Sequence, residues 1–168
     1  MILGGLALPG TARAGQANGR SEIVVLRNLS FIKIDDLEFG AMIPGGAAST
    51  VTVAPGGGRT TTGPVTLVGS ASQPAQFGGR GAANQNLLLS INANSITLTR
   101  AGGTQTMIVD TFTVSSTPVT NLTTVPTLYR ISSSTGIFQF GLGARLRVGA
   151  NQAPGNYTGT FRLTLIYQ

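Results

Sequence analysis

The stretch GNYTGTFRLTLIYQ, residues 155–168, decides how this chain is read. Tyr157, Gly159, Phe161, Leu163, Leu165 and Tyr167 fall on one side of an extended backbone, and Thr158, Thr160, Arg162, Thr164 and Ile166 fall on the other. A period of two is the signature of a strand with one buried face. Terminal residues normally fray. Here the apolar face continues to Tyr167, so this strand is expected to pack against the body of the domain.

Working outward, the same alternation recurs. Residues 137–148 (IFQFGLGARLRV) set Phe138, Phe140 and Leu142 against Gln139, Gly141 and Gly143, and the pattern shifts near Gly143 and Ala144 as at a β-bulge. Residues 49–53 (STVTV), 64–68 (PVTLV) and 106–114 (TMIVDTFTV) read as further strands, with a PGGG turn at 55–58. Residues 87–91 and 95–99 flank Asn92-Ala93-Asn94 and read as a hairpin with a three-residue loop. The Ser, Gln, Gly and Pro-rich residues after Val68 read as a loop, and 115–127 as a loop or irregular edge. In SEIVVLRNLSFIKIDDLEFG, residues 21–40, both faces are partly apolar, which predicts burial on both sides or sharing between two neighbours. About eight strands spaced by turns is the pattern of an all-β sandwich or barrel.

Composition agrees. Only 10% of residues are charged, against 41% hydrophobic, so Thr, Ser, Asn and Gln carry the surface and a sizeable core is available. No window combines a helical apolar period with good helix formers. The chain has no His and no Cys, which removes imidazole acid–base chemistry, thiol nucleophiles, Cys/His metal sites and disulfides. The net charge is +6, but the arginines are scattered along the chain, without the concentrated basic face that nucleic acid needs.

Residues 1–14 (MILGGLALPGTARA) carry a short apolar run, and Ala12 and Ala14 suit cleavage after Ala14. They read as a signal-peptide remnant, whose missing basic region places the start of the precursor upstream. Export to the cell exterior is the corresponding expectation.

Two resemblances sharpen this reading. A penultimate Tyr (Tyr167), alternating apolar residues before it and a Gly fourteen residues from the end (Gly155) resemble the C-terminal motif of chaperone–usher pilins. LEFG at 37–40, TVTVAPGGGRTTTG at 50–63 and RVGANQAPGNYTGTFRLTLIY at 147–167 resemble, in order and spacing, a bacterial secreted family known as domain of unknown function 4402. The resemblance implies a pilin-like, immunoglobulin-like β-sandwich that lacks one strand and is completed by a donor strand from the next copy. Residues 15–31 then form an N-terminal donor-strand extension and 32–168 the sandwich domain. The groove-filling side chains are expected to be Ile23 and Val25, followed by Leu29 and Phe31. Gly155, Tyr157, Phe161, Leu163, Leu165 and Tyr167 are expected to pack the last strand. The implied function is a structural subunit of an extracellular pilus, serving adhesion or biofilm formation. Its partners are copies of itself, a periplasmic chaperone and an outer-membrane usher. The alternative is a self-contained secreted sandwich that binds a carbohydrate or a protein.

No residue pattern points to catalysis or to a cofactor. Asp35, Asp36 and Glu38 read as turn residues, since a hard-cation cage needs more oxygen ligands. GGGRTT at 56–61 lacks the Lys-Ser/Thr pair and helix of a phosphate-binding loop. The many Ser and Thr have no His to activate them.

Overall fold

The computed structural model describes residues 27–168. Every regular element among them is a strand. The first seven are β1 (Ser30–Asp35), β2 (Ala41–Ile43), β3 (Ser49–Val53), β4 (Arg59–Thr62), β5 (Thr66–Val68), β6 (Ala75–Arg80) and β7 (Asn86–Ile91). They are followed by β8 (Ser95–Arg100), β9 (Thr106–Val114), β10 (Thr120–Asn121), β11 (Thr127–Arg130), β12 (Ile137–Val148), β13 (Tyr157–Thr158) and β14 (Leu163–Tyr167).

The long strand β12 is the axis of the larger sheet. Its first half pairs with β6, its second half pairs with β3 on the same edge, and β9 lies along the other edge. The resulting order is β1-β6-β12-β9-β8-β13, with β4 beyond β3. A second layer, β11-β7-β14, lies over it, and β2 and β5 form a separate two-stranded ribbon. All pairings are antiparallel, so the fold is an all-β sandwich of curled sheets.

The inward period-two residues fill the space between the layers. Leu87, Leu89 and Ile91 of β7 face Val109 and Phe112 of β9 and Phe138, Phe140, Leu142 and Leu146 of β12, all buried. An aromatic stack reinforces one end. Phe31 lies 5.6 Å from Phe77, 5.9 Å from Phe140 and 6.4 Å from Phe138, centroid to centroid. Burial in this region pushes the Tyr129 phenol up from its ordinary pKa.

Several local expectations change. The shift near Ala144 is a bulge, but the extra residue belongs to the partner strand. Gly143 pairs with Thr113 and Arg145 with Asp110, leaving Thr111 and Phe112 opposite Ala144 alone. Thr111 sits at φ 51°, an uncommon conformation for a β-branched residue, and the bulge lets the next residue, Phe112, point inward.

Residues 87–91 and 95–99 are not a hairpin. β7 pairs with β11 and β14, while β8 pairs with β9 and β13, so the Asn92–Asn94 connection crosses between layers. Asn92 Oδ1 accepts from the Arg162 amide at 2.7 Å, and Asn94 Oδ1 accepts from the Thr124 amide at 2.9 Å. An arch and a hairpin both turn their apolar side to the interior, so alternation alone does not distinguish them.

AQFGGR, read as part of a loop, is β6. At Gly79 a side chain would stand 2.0 Å from the Ser30 carbonyl oxygen, so glycine there permits β1 to lie close, rather than marking a turn. Finally, β1 is not covered on both faces: Ile32 and Ile34 are 62% and 46% exposed on the outer side.

Candidate functional site

The second layer covers only one end of the larger sheet. Beyond Ile91 and Leu163 the inner face of β8, β9 and the end of β12 is roofed by two unequal walls. One wall is residues 36–44, including β2; the other is residues 152–161, including β13. Between them lies an open groove of about 920 Å³. Its floor carries Ile96, Leu98 and Met107, all half-buried, and the buried Val109, Leu146 and Val148. Leu37, Phe39 and Met42 line one wall and Phe161 the other.

Among the described residues, β2 pairs only with β5 and β14 only with β7. Each therefore leaves one edge whose outward backbone N–H and C=O groups have no neighbouring strand. Such an edge is a template for strand addition.

Both walls are braced. Arg59 donates to the carbonyls of Phe39 (2.8 Å), Ala41 (3.2 Å) and Gly69 (2.7 Å), and so ties the β2–β5 ribbon to β4. On the other side the Tyr157 hydroxyl donates to the Ala153 carbonyl at 2.7 Å and accepts from Gln152 Nε2 at 2.8 Å. A tyrosine that bonds the backbone a few residues upstream is a device of Greek-key sandwiches. Gly155, at φ +146°, lies where a side chain would overlap Arg100 Nε at 2.6 Å. Only glycine suits that backbone and that contact.

The outer end of the groove, its mouth, lies at the far end of β12 beside Val148 and Gln152, where the Asn151 amide donates to the Gly45 carbonyl at 2.9 Å, and Asp36 and Glu38 lie at the other, inner end. Asp36 is bound by Lys33 at 2.6 Å on an exposed surface, and both backbone polar groups of Glu38 bond to Gln73. Among the described residues no three His, Cys, Asp or Glu side chains gather as a metal site. Elsewhere, on the outer face, Asp110 is held by Arg145 (2.8 Å) and Arg147 (2.6 Å). Burial pushes the Asp110 carboxyl up, but hydrogen bonds from Arg145, Arg147 and Thr111 outweigh it and hold it below its usual pKa.

The described chain begins at the opposite end. β1 runs antiparallel to β6 and hence in the direction of β12, with Ser30 opposite Arg80 and Arg80 opposite Ile137. Residues 27–29 therefore precede it at the end where β12 begins. There the Tyr167 hydroxyl donates to the Arg27 carbonyl at 2.6 Å and accepts from the Ala82 amide at 2.7 Å. The eleven steps along the twelve residues of β12, at about 3.3 Å each, put roughly 36 Å between this end and the groove mouth.

Of the expected donor side chains, Ile23 and Val25 lie outside the described residues. Leu29 and Phe31 pack against the core of their own chain, and the boundary expected at residue 31 falls inside β1. Phe161, Leu163, Leu165 and Tyr167 pack half-buried on the core, and Tyr157 lines the groove. Sequence reasoning missed the floor residues Ile96, Leu98 and Met107, the wall residues Leu37, Phe39 and Met42, and the brace Arg59. The alternation of residues 95–100 marks the floor as apolar, but nothing in it says that no other described strand covers it.

An all-β sandwich with an apolar groove and, among the described residues, two open strand edges defines the class. Residues 29–167 match the family model described as a domain of unknown function (DUF4402), and the chain belongs to that family. No curated protein and no solved structure matches the chain.

Proposed function

We propose that this chain is a structural subunit of an extracellular fibre, joined head to tail by insertion of one copy's N-terminal segment into the groove of the next. The observation that carries the reading is the opposition of the two ends. The described chain begins at Arg27, roughly 36 Å from the groove mouth at the other end of β12. A short segment joined at Arg27 reaches another molecule's groove more readily than its own. Repetition of such a contact does not close, so it builds a filament.

The apolar floor and the unpaired edge of β2 support the same reading, because a strand laid in the groove beside β2 would meet side-chain pockets and backbone partners together. Ile23 and Val25 are the side chains assigned to the pockets. Burying each is worth about 1.5–3 kcal/mol. Leu29 and Phe31, which serve their own core, are left out of the donor segment. Export, a periplasmic chaperone that shields the groove before assembly, and an outer-membrane usher belong to the same proposal, as do adhesion or biofilm formation as the service.

The self-contained binding module remains the second reading, and the placement of β1 in its own sheet favours it. Electrophoresis of the full chain in SDS with and without boiling separates the two. A strand-exchanged fibre gives an unboiled ladder that collapses on heating. A single band of monomer in both lanes, from native material, overturns the fibre reading.

A further inference from the structure

We propose that the groove holds residues 20–26 of a second copy in one register, with Arg20 at the inner end beside Asp36 and Glu38 and Leu26 at the mouth. This rests on the fibre reading and adds what fixes the strand within the groove.

The direction follows from the exit. A segment that leaves its own domain at Arg27 enters the neighbour's groove with its C-terminal end at the mouth, so its N-terminal end reaches inward. It then runs parallel to residues 36–44 and antiparallel to residues 157–167, which start at the mouth with β13. The lengths agree. Residues 20–26 extend about 20 Å, six steps of roughly 3.3 Å, the same as the seven residues 37–43 of the wall.

Apolar alternation does not settle the register. Residues 23–26 (IVVL) are apolar on both faces, and a slip of two residues keeps the same face inward. Charge separates the registers: Asp36 is already paired with Lys33, which leaves Glu38 for Arg20, and a slip of two residues inward would set Glu22 against Glu38 instead. Three of the chain's five acidic residues, Asp35, Asp36 and Glu38, lie on the short stretch that begins this wall, in a chain of net charge +6. Among the described residues the Glu38 carboxylate has no hydrogen-bond or ion-pair partner. Arg20 is the basic residue that precedes the apolar run. In the proposed register it meets that acidic end while Ile23 and Val25 lie over the floor. A slip of two residues toward the mouth pulls Arg20 off the carboxylates, and a slip inward drives it past them.

The chain has no cysteine, so a single introduced pair reports the register. In the full chain, Glu22→Cys, on the same face of the strand as Arg20, with Glu38→Cys, oxidised, is expected to give a ladder that survives boiling and collapses with reductant. Leu26→Cys with Glu38→Cys, on the same face but four residues further along and beyond the roughly 7 Å Cα separation a disulfide tolerates, is expected to give none. Linking of the second pair instead, or of both equally, overturns the inference. If neither links while the heat-labile ladder persists, this register is wrong and the fibre reading stands. If neither links and no heat-labile ladder forms, both fall. As a check on the charge pairing, Arg20→Glu is expected to speed dissociation of the assembly at low salt by about two- to five-fold, the range of an exposed ion pair. Adding Asp36→Lys and Glu38→Lys restores it. Equal dissociation of all three forms refutes the charge pairing.

Discussion

Phe31 separates a strand that belongs to its own domain from one lent to a neighbour. In the structure its ring stacks on Phe77, Phe140 and Phe138 within 5.6–6.4 Å of each, and it is half-buried. A fully buried Phe→Ala change costs about 3–5 kcal/mol, the lost transfer energy plus the cavity. Partial exposure lowers that, and loss of the ring pairs adds back a little, so Phe31→Ala is expected to destabilise the domain by about 2–3 kcal/mol. Urea unfolding at a dilution where the protein is monomeric, followed by tyrosine fluorescence, measures it. The midpoint is expected to fall with the slope unchanged, independently of protein concentration. An unchanged midpoint at high dilution, together with loss of the heat-labile ladder, would refute the placement of Phe31 in its own core and return it to the donor segment.

Other consequences are simpler to state. Arg59→Met removes three charge-assisted bonds to the wall carbonyls and is expected to weaken the domain by about 2 kcal/mol, with hydrogen exchange accelerating first at residues 37–43. Gly155→Ala meets both an unfavourable φ and the Arg100 side chain and is expected to cost about 1–3 kcal/mol by thermal unfolding, where an unchanged Tm would contradict the geometry. Asp110 has its folded pKa lowered, so its contribution to stability is present above the unfolded carboxylate value of about 4 and is lost as pH falls through the folded value. Asp110→Asn is accordingly expected to flatten the acid limb of the stability–pH curve, and an unaltered limb would show that the two arginines do not act on it.

Much of the fold is legible in period-two patterns because each inward face meets one continuous core. Residues 163–167, 137–142 and 49–53 lie where the alternation puts them, since their sides are buried or exposed cleanly. Legibility fails where the deciding contact is distant in sequence. AQFGGR reads as a loop because its glycines accommodate β1, some fifty residues away in the chain. The β7–β8 arch reads as a hairpin because the choice of partner depends on β14, which comes last in the chain. The groove is the extreme case. Ile96, Leu98 and Met107 have the sequence of an ordinary inner face, and what distinguishes them is that no strand among the described residues lies over them. Arg59 resembles any arginine after a glycine turn until the three carbonyls it collects are in place.

Electron cryomicroscopy of assemblies purified without heating bears most directly on whether one molecule's leading segment completes the next. The expected map shows an extra strand between residues 37–43 and 157–163 of each subunit, traceable to Arg27 of the adjacent one. A groove left vacant, or filled by the same molecule's own residues, would contradict it.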